Sequence, residues 1–229
     1  MVKASKSCLA FDIETLGVNK HKDLITVIAV YDPVENISEV MRFVDLNEDG
    51  DVVYRDNYLQ TVTKLVEYLD NAECLCSFNG TSFDLPFIQI QFNIPNEKVG
   101  KWVLKNYDIL EICRRGFKRT FNLNSCLALN NVGDGKTGSG MEAVLQARRG
   151  DWGDLESYCH ADARLTYELS MLEKIYCCEG YAYRKSHNDR THDPSNVLTI
   201  DTSQFPELGF SYGAVNKPVN GEMFVNGVM

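Results

Sequence analysis

The apolar run at residues 7–13 (Ser-Cys-Leu-Ala-Phe-Asp-Ile) predicts a buried strand that ends in a carboxylate. Residues 24–31, rich in Ile and Val, predict a second strand, and the alternation at 37–44 predicts a third. Asp32-Pro33 marks the turn between these two. Asn57 is a candidate helix N-cap, because Leu59, Val62, Leu65, Val66 and Leu69 follow at spacings that share one helical face. Residues 73–78 predict a short fourth strand, then Asn79-Gly80 and a helical pattern at 82–92. From Asn106 the pattern reads as mostly helical, interrupted by a loop at 131–140, and a long helix is expected over about residues 155–176. Strands first, then a helix, a strand and further helices is an α/β order with a mixed sheet. Beyond Gly180 the periodicity fades, and residues 184–229, rich in Asn, Asp, Ser, Pro and Gly, read as an irregular tail. The expected organisation is therefore a domain over residues 1–180 and a tail over 181–229.

Composition narrows the class. The 229 residues are 44% hydrophobic and 24% charged, enough for one full core. No apolar stretch approaches the roughly 18 residues of a membrane span, and residues 1–6 carry no apolar leader. A cytoplasmic or nuclear protein with no membrane partner is expected, its eight cysteines present as thiols. No CxxC pair occurs, so a zinc ribbon or thioredoxin-like motif is excluded. Cys177, Cys178, His187 and His192 fit no common zinc spacing, and the two cysteines read better as helix-end core.

Net charge is −9, which argues against a general electrostatic grip on nucleic acid. The charge is uneven, however: residues 98–149 hold ten Lys/Arg against four acids, leaving the rest at −15. This predicts a local anion-binding surface, unless the bases simply line solvated helix faces.

Three stretches place acids where a fold would not need them. Asp12 and Glu14, in Phe-Asp-Ile-Glu-Thr, are two apart on a strand and so leave the same face. Paired oxygen ligands on one face suit a hard divalent ion. Asp84 follows Phe78-Asn79-Gly80-Thr81-Ser82-Phe83 at the opening of a helix, where Ser82 would serve as the cap and leave Asp84 free. Tyr158 and Asp162 are i and i+4 on the long helix, and Asp162 interrupts a core-directed stripe of Leu165, Leu169 and Leu172. Taken singly, each stretch also has a plain reading, as a decorated strand end, a helix first turn or a buried Tyr–Asp hydrogen bond.

Together, in this order, the three motifs resemble the DEDD 3′–5′ exonucleases of the RNase H-like superfamily, in the tyrosine-bearing DEDDy branch. They are similar to the proofreading domains of family B DNA polymerases and to stand-alone or helicase-attached RNase H-like exonuclease domains. The resemblance runs from about Cys8 to Leu172. The Gly135–Gly140 loop and the Gly150-Asp151-Trp152 approach to the last helix resemble the helicase-attached group. The histidine branch would have His where Ser157 stands, and His160 is at the wrong offset.

The resemblance implies an RNase H-like fold, with a mixed five-stranded central sheet flanked by helices. It also implies that Asp12, Glu14, Asp84 and Asp162 bind two Mg²⁺ or Mn²⁺ ions, with Tyr158 orienting the attacking water. Asp12 would bridge both ions, Glu14 and Asp162 would hold one, and Asp84 would serve mainly the other. Thr15, Leu16, Asn79 and Phe83 would meet the terminal nucleotide, Phe83 by stacking unless it is simply core. Arg114, Arg115, Lys118 and Arg119 are the expected track for the strand, and Lys136 approaches phosphates from its Gly-rich loop. The expected partner is single-stranded DNA, with RNA as the alternative, and the tail is a candidate dock for replication or repair proteins. The competing function classes are a catalytically silent nucleic-acid-binding or polymerase-associated module and an endonuclease or polynucleotidyl transferase of the same fold. Circular DNA that survives digestion would separate the last from an exonuclease.

Overall fold

The computed structural model describes residues 7–117, 121–133, 139–172, 174–178 and 197–201. At residues 115–117, 177–178 and 197–201 it describes the backbone alone. Strands β1 (Leu9–Thr15), β2 (Ile25–Asp32) and β3 (Ile37–Arg42) form an antiparallel meander. A small hairpin, β4 (Val44–Leu46) and β5 (Val52–Tyr54), precedes helix α1 (Tyr58–Asn71) and strand β6 (Leu75–Ser77). Helices α2 (Asp84–Gln91) and α3 (Asn96–Leu104) lead to strand β7 (Asn106–Asp108). Then follow α4 (Ile109–Phe117), α5 (Leu123–Asn130), α6 (Gly140–Arg149), α7 (Trp152–Ser170), β8 (Lys174–Cys178) and β9 (Val197–Asp201). The central sheet has five strands in the order β3-β2-β1-β6-β7, with β6 and β7 parallel to β1 and β2 antiparallel to it. The expected mixed five-stranded α/β architecture is thus present.

Alternation along β1 decides where everything else goes. Leu9, Phe11 and Ile13 point to one face and pack on Leu65 and Leu69 of α1, Leu85 and Ile88 of α2, and Trp102 of α3. Cys8 and Ala10 point to the other, among Leu123 and Leu127 of α5 and Leu165 and Leu169 of α7. Because side chains alternate with period two, Asp12 and Glu14 continue the second face, the one that α7 covers. There the contacts are small: Ala29 of β2 meets Ala143 and Ala147 of α6 and Cys159 and Ala163 of α7. Small side chains bring α7 close to the sheet, so a side chain on its inner surface reaches β1.

Several elements depart from the sequence expectation. The stretch from Asn106 begins with a strand, not a helix: Asn106–Asp108 is the fifth strand, buried throughout. Alternation at 37–44 breaks at Phe43, after which Val44–Leu46 leaves β3 to pair with Val52–Tyr54. Helix α7 stops at Ser170, and Lys174–Cys178 is a strand paired with Val197–Asp201. Cys177 and Cys178 therefore sit on a strand, not at a helix end, and five residues of the expected irregular tail are regular. His187 and His192 lie outside the described residues. Leu59 is 76% exposed, so the buried face of α1 is narrower than its spacing predicts. Asn57 precedes α1 without a side-chain capping bond. Cys8, Cys74, Cys76, Cys113, Cys126 and Cys159 carry free thiols. Among the described residues no helix is long and apolar enough to cross a membrane.

Candidate metal centre

Strand β6 is short. It pairs with β1 only at Leu9↔Leu75 and Ala10↔Cys76, after which the chain turns away at Ser77. The second half of β1 consequently has β2 on one side and, among the described residues, no strand on the other. Its exposed backbone there needs other partners, since an unmet buried N–H costs about 1–3 kcal/mol. Asp84, the first residue of α2, supplies one: Ile13 N–H donates to Asp84 Oδ1 at 3.2 Å. Asp84 is buried, and burial, then the negative charge of Asp108, pushes its carboxyl up to about 8. Ser82, expected as the helix cap, is exposed and makes no capping bond; Phe83 occupies the N-cap position.

The tight turn before α2 is held by a glycine. A Cβ on Gly80 would lie 2.4 Å from Ser77 Oγ, 2.5 Å from Ser77 Cβ and 3.1 Å from Phe11 Cζ. Only a hydrogen fits between the turn and the sheet, so Gly80 sets how closely α2 starts beside β1.

Across the cleft, α7 brings Asp162 to the face that carries Asp12 and Glu14. Carboxylate oxygens of Asp12, Glu14 and Asp162 all lie within 4.8 Å of one another. Glu14 and Asp162 are buried and Asp12 is half-buried. The buried thiol of Cys159 sits against them, with Sγ 3.8 Å from Asp12 Oδ2 and 3.4 Å from the Asp12 carbonyl oxygen. Burial pushes that thiol well up, and the charges of Asp12, Glu14 and Asp162 push it further, so the sulfur registers all three acids at once. Like charges gathered in a low-dielectric cleft repel unless a cation joins them. Three hard oxygen donors at this spacing fit a divalent cation of the Mg²⁺ or Mn²⁺ kind.

The remaining expected site residues fall as follows. Tyr158 is half-buried one helical turn before Asp162 and packs with Leu16 on the Val27–Ala29–Leu155 cluster. Thr15 is buried and its hydroxyl donates to the Gly17 carbonyl. Phe83 is half-buried at the edge of the apolar layer, with its ring centroid 4.8 Å from that of Phe87. Asn79 takes a left-handed backbone at φ 78, and its side-chain oxygen accepts from Arg114 Nη1 at 2.9 Å. Arg115 is described by its backbone alone, and Lys118, Arg119 and Lys136 lie outside the described residues. His160 is directed to β3, its Nε2 2.8 Å from Ser38 Oγ, and takes no place among the acids.

Two residues escaped the sequence reading. Cys159 is one. The other is Asp108, a buried acid at the end of β7 that accepts from the backbone N–H groups of Asn79, Thr81 and Glu111. The signal for Asp108 was present as Asp-Ile-Leu-Glu, an acid followed three residues later by Glu, which is a helix-start pattern.

An open mixed sheet with acids gathered at the end of its first strand, faced by a late helix, defines the class: an α/β domain with a carboxylate cluster beside its strand ends. Residues 9–172 match the RNase_H_2 family of the RNase_H superfamily, and the chain belongs to that superfamily. Its structure is similar to that of the family B DNA polymerase from the hyperthermophilic archaeon Pyrobaculum calidifontis, with a TM-score of 0.54 and 16% identity. That similarity covers 73% of this chain and 24% of the polymerase, and it is a likeness of fold. No curated protein matches the sequence.

Proposed function

We propose that the chain is a two-metal-ion 3′–5′ exonuclease of the DEDDy kind. It hydrolyses the terminal phosphodiester of single-stranded or frayed nucleic acid and releases nucleoside 5′-monophosphates. The observation that carries this reading is the meeting of Asp12, Glu14 and Asp162, from two distant stretches, within one 4.8 Å group, with Asp84 bonded to the backbone between the first two. Asp12, Glu14 and Asp162 would hold Mg²⁺ or Mn²⁺, with Asp84 completing the set. Bound there, the ions would supply Lewis acidity for in-line displacement at phosphorus.

The chain's own groups do the rest. Asp84 must give up its proton before it can ligate, which ties metal binding to pH. Tyr158, on the same face of α7 as Asp162, is suited to orient a water by hydrogen bonding; a phenol is too weak a base at neutral pH to deprotonate it. Leu16 and Phe83 offer apolar surface to a terminal base, whose stacking is worth about 1–3 kcal/mol and tolerates any sequence. DNA is favoured over RNA by the likeness to a DNA polymerase.

The test is digestion of 5′-labelled single-stranded DNA and RNA oligonucleotides with Mg²⁺, Mn²⁺ or EDTA. A ladder shortening from the 3′ end, abolished by EDTA and absent on circular DNA, is expected. An oligonucleotide that is bound but never shortened would identify a silent binding module instead.

A further inference from the structure

Asn79 sits in the turn between β6 and α2, and its carbonyl oxygen accepts from Ser82 and Phe83 N–H, so its placement is continuous with that of Asp84. A single buried carboxylate, Asp108, pins this turn: its Oδ1 accepts from Asn79 N–H and its Oδ2 from Thr81 N–H, each at 2.9 Å. The same Oδ1 accepts from Glu111 N–H at 3.1 Å, so Asp108 also fixes the first turn of α4, the helix that carries Arg114. Arg114 Nη1 then donates back across the gap to Asn79 Oδ1 at 2.9 Å.

A guanidinium has only donors, so it can face only the oxygen of an amide. That fixes the flip of the Asn79 side chain on chemical grounds. The oxygen is engaged by Arg114, and the NH₂ group is what the residue has left to offer. An NH₂ group selects acceptors, and a 3′-terminal nucleotide is rich in them: phosphate oxygens, sugar oxygens and base carbonyls. Arg114 itself belongs to the cluster expected to track the strand by charge, yet its Nη1 is engaged with a neutral side chain.

We infer that Arg114 and Asp108 are positioning residues that hold Asn79 with its amide nitrogen presented as a donor to the terminal nucleotide. The inference rests on the nuclease reading above, and it assigns Arg114 a role through Asn79 and not through the phosphates of the strand. Loss of one such hydrogen bond lowers kcat/KM by about 10-fold.

The experiment measures kcat/KM with Mn²⁺ on a 5′-labelled single-stranded 20-mer over a salt series. The variants are Asn79→Ala, Asn79→Asp, Arg114→Met, Arg114→Lys and the double Asn79→Ala/Arg114→Met. Arg114→Met should lose about 10-fold, while Arg114→Lys, which keeps a donor of nearly the same reach for Asn79, should stay within about 3-fold of wild type. The double variant should be no worse than its worse parent, and the salt slope should match wild type throughout. Asn79→Asp keeps the acceptor for Arg114 but removes the amide donor, so it should be at least as impaired as Asn79→Ala. This arm decides the matter even if Arg114→Met does not fold. Additive losses, a Lys variant as poor as Met, a salt slope in Arg114→Met shallower by about 0.7, or full activity in Asn79→Asp would each overturn the inference while leaving an active nuclease. A wild-type chain that leaves the 20-mer intact overturns the nuclease reading itself, and this inference with it.

Discussion

Asp84 Oδ1 accepts the backbone N–H of Ile13 at 3.2 Å, on the side of β1 where β6 has already turned away. A side chain from the start of a helix thus stands where a neighbouring strand's carbonyl would stand in a longer ladder. The same bond joins the first strand to the helix after the fourth strand of the central sheet, and it sets one acid directly beside the segment that carries two others.

The burial of Asp84 makes metal-free stability pH-dependent with a definite sign, although the Ile13 N–H bond pulls the other way. The Asp84 carboxyl is raised from its usual 3.8 to about 8, first by burial and then by Asp108. The folded chain therefore holds a proton that the unfolded chain releases. The stabilisation is complete below about pH 3.8 and is lost as pH rises through about 8. In EDTA, wild-type Tm should decline across that window more steeply than Tm of Asp84→Asn, which keeps a neutral acceptor for Ile13. Identical slopes in thermal melts of the two proteins would contradict the assignment.

Removing an acid from the cluster should act on function and not on folding. Asp12→Asn or Asp162→Asn is expected to lower exonuclease rates by more than about 100-fold. Each should also abolish the rise in Tm that Mn²⁺ gives the wild type, while leaving Tm in EDTA unchanged or higher, because one like charge has gone. Retained activity in either purified variant refutes the site.

Tyr158→Phe deletes only a hydroxyl from a half-buried ring on α7. Its expected signature is a fall in kcat of about 10- to 100-fold with little change in oligonucleotide affinity measured in Ca²⁺. Equal losses in both would mean that the hydroxyl serves packing alone.

Gly80→Ala inserts a methyl group 2.4 Å from Ser77 Oγ and 2.5 Å from Ser77 Cβ, too close for either atom to remain in place. About 1–3 kcal/mol of destabilisation is expected, visible as a shifted denaturant midpoint. The start of α2 should move with it, so Mn²⁺ affinity should weaken in the same variant. Gly100→Ala serves as the control, because a Cβ there meets nothing within 4 Å.

Part of the acid cluster was legible because its pattern is local. Asp12 and Glu14 share a face by strand alternation, and Tyr158 and Asp162 share one by helical spacing, but that the two faces meet was readable only from the three motifs taken together. What stayed hidden depends on distant partners. Asn-Tyr-Asp at 106–108 does not look like a strand, because its polar ends are made tolerable by Ser77, Thr81 and the Asn79 turn, about thirty residues upstream in sequence. The end of α7 carries no Gly or Pro. Its apolar residues run on into β8, where strand pairing and not a local breaker ends the helix. Arg114 reads as one more base in a cluster until Asn79 appears opposite it.

The close approach of α7 to the sheet, set by Ala29, Cys159 and Ala163, has a bearing on ionic selectivity. Carboxylates cannot by themselves discriminate among hard cations of equal charge; the width of the gap between them does. In this molecule α7 meets the sheet at one thiol and two methyl groups, so enlarging any of them would widen the gap across which a cation would be held.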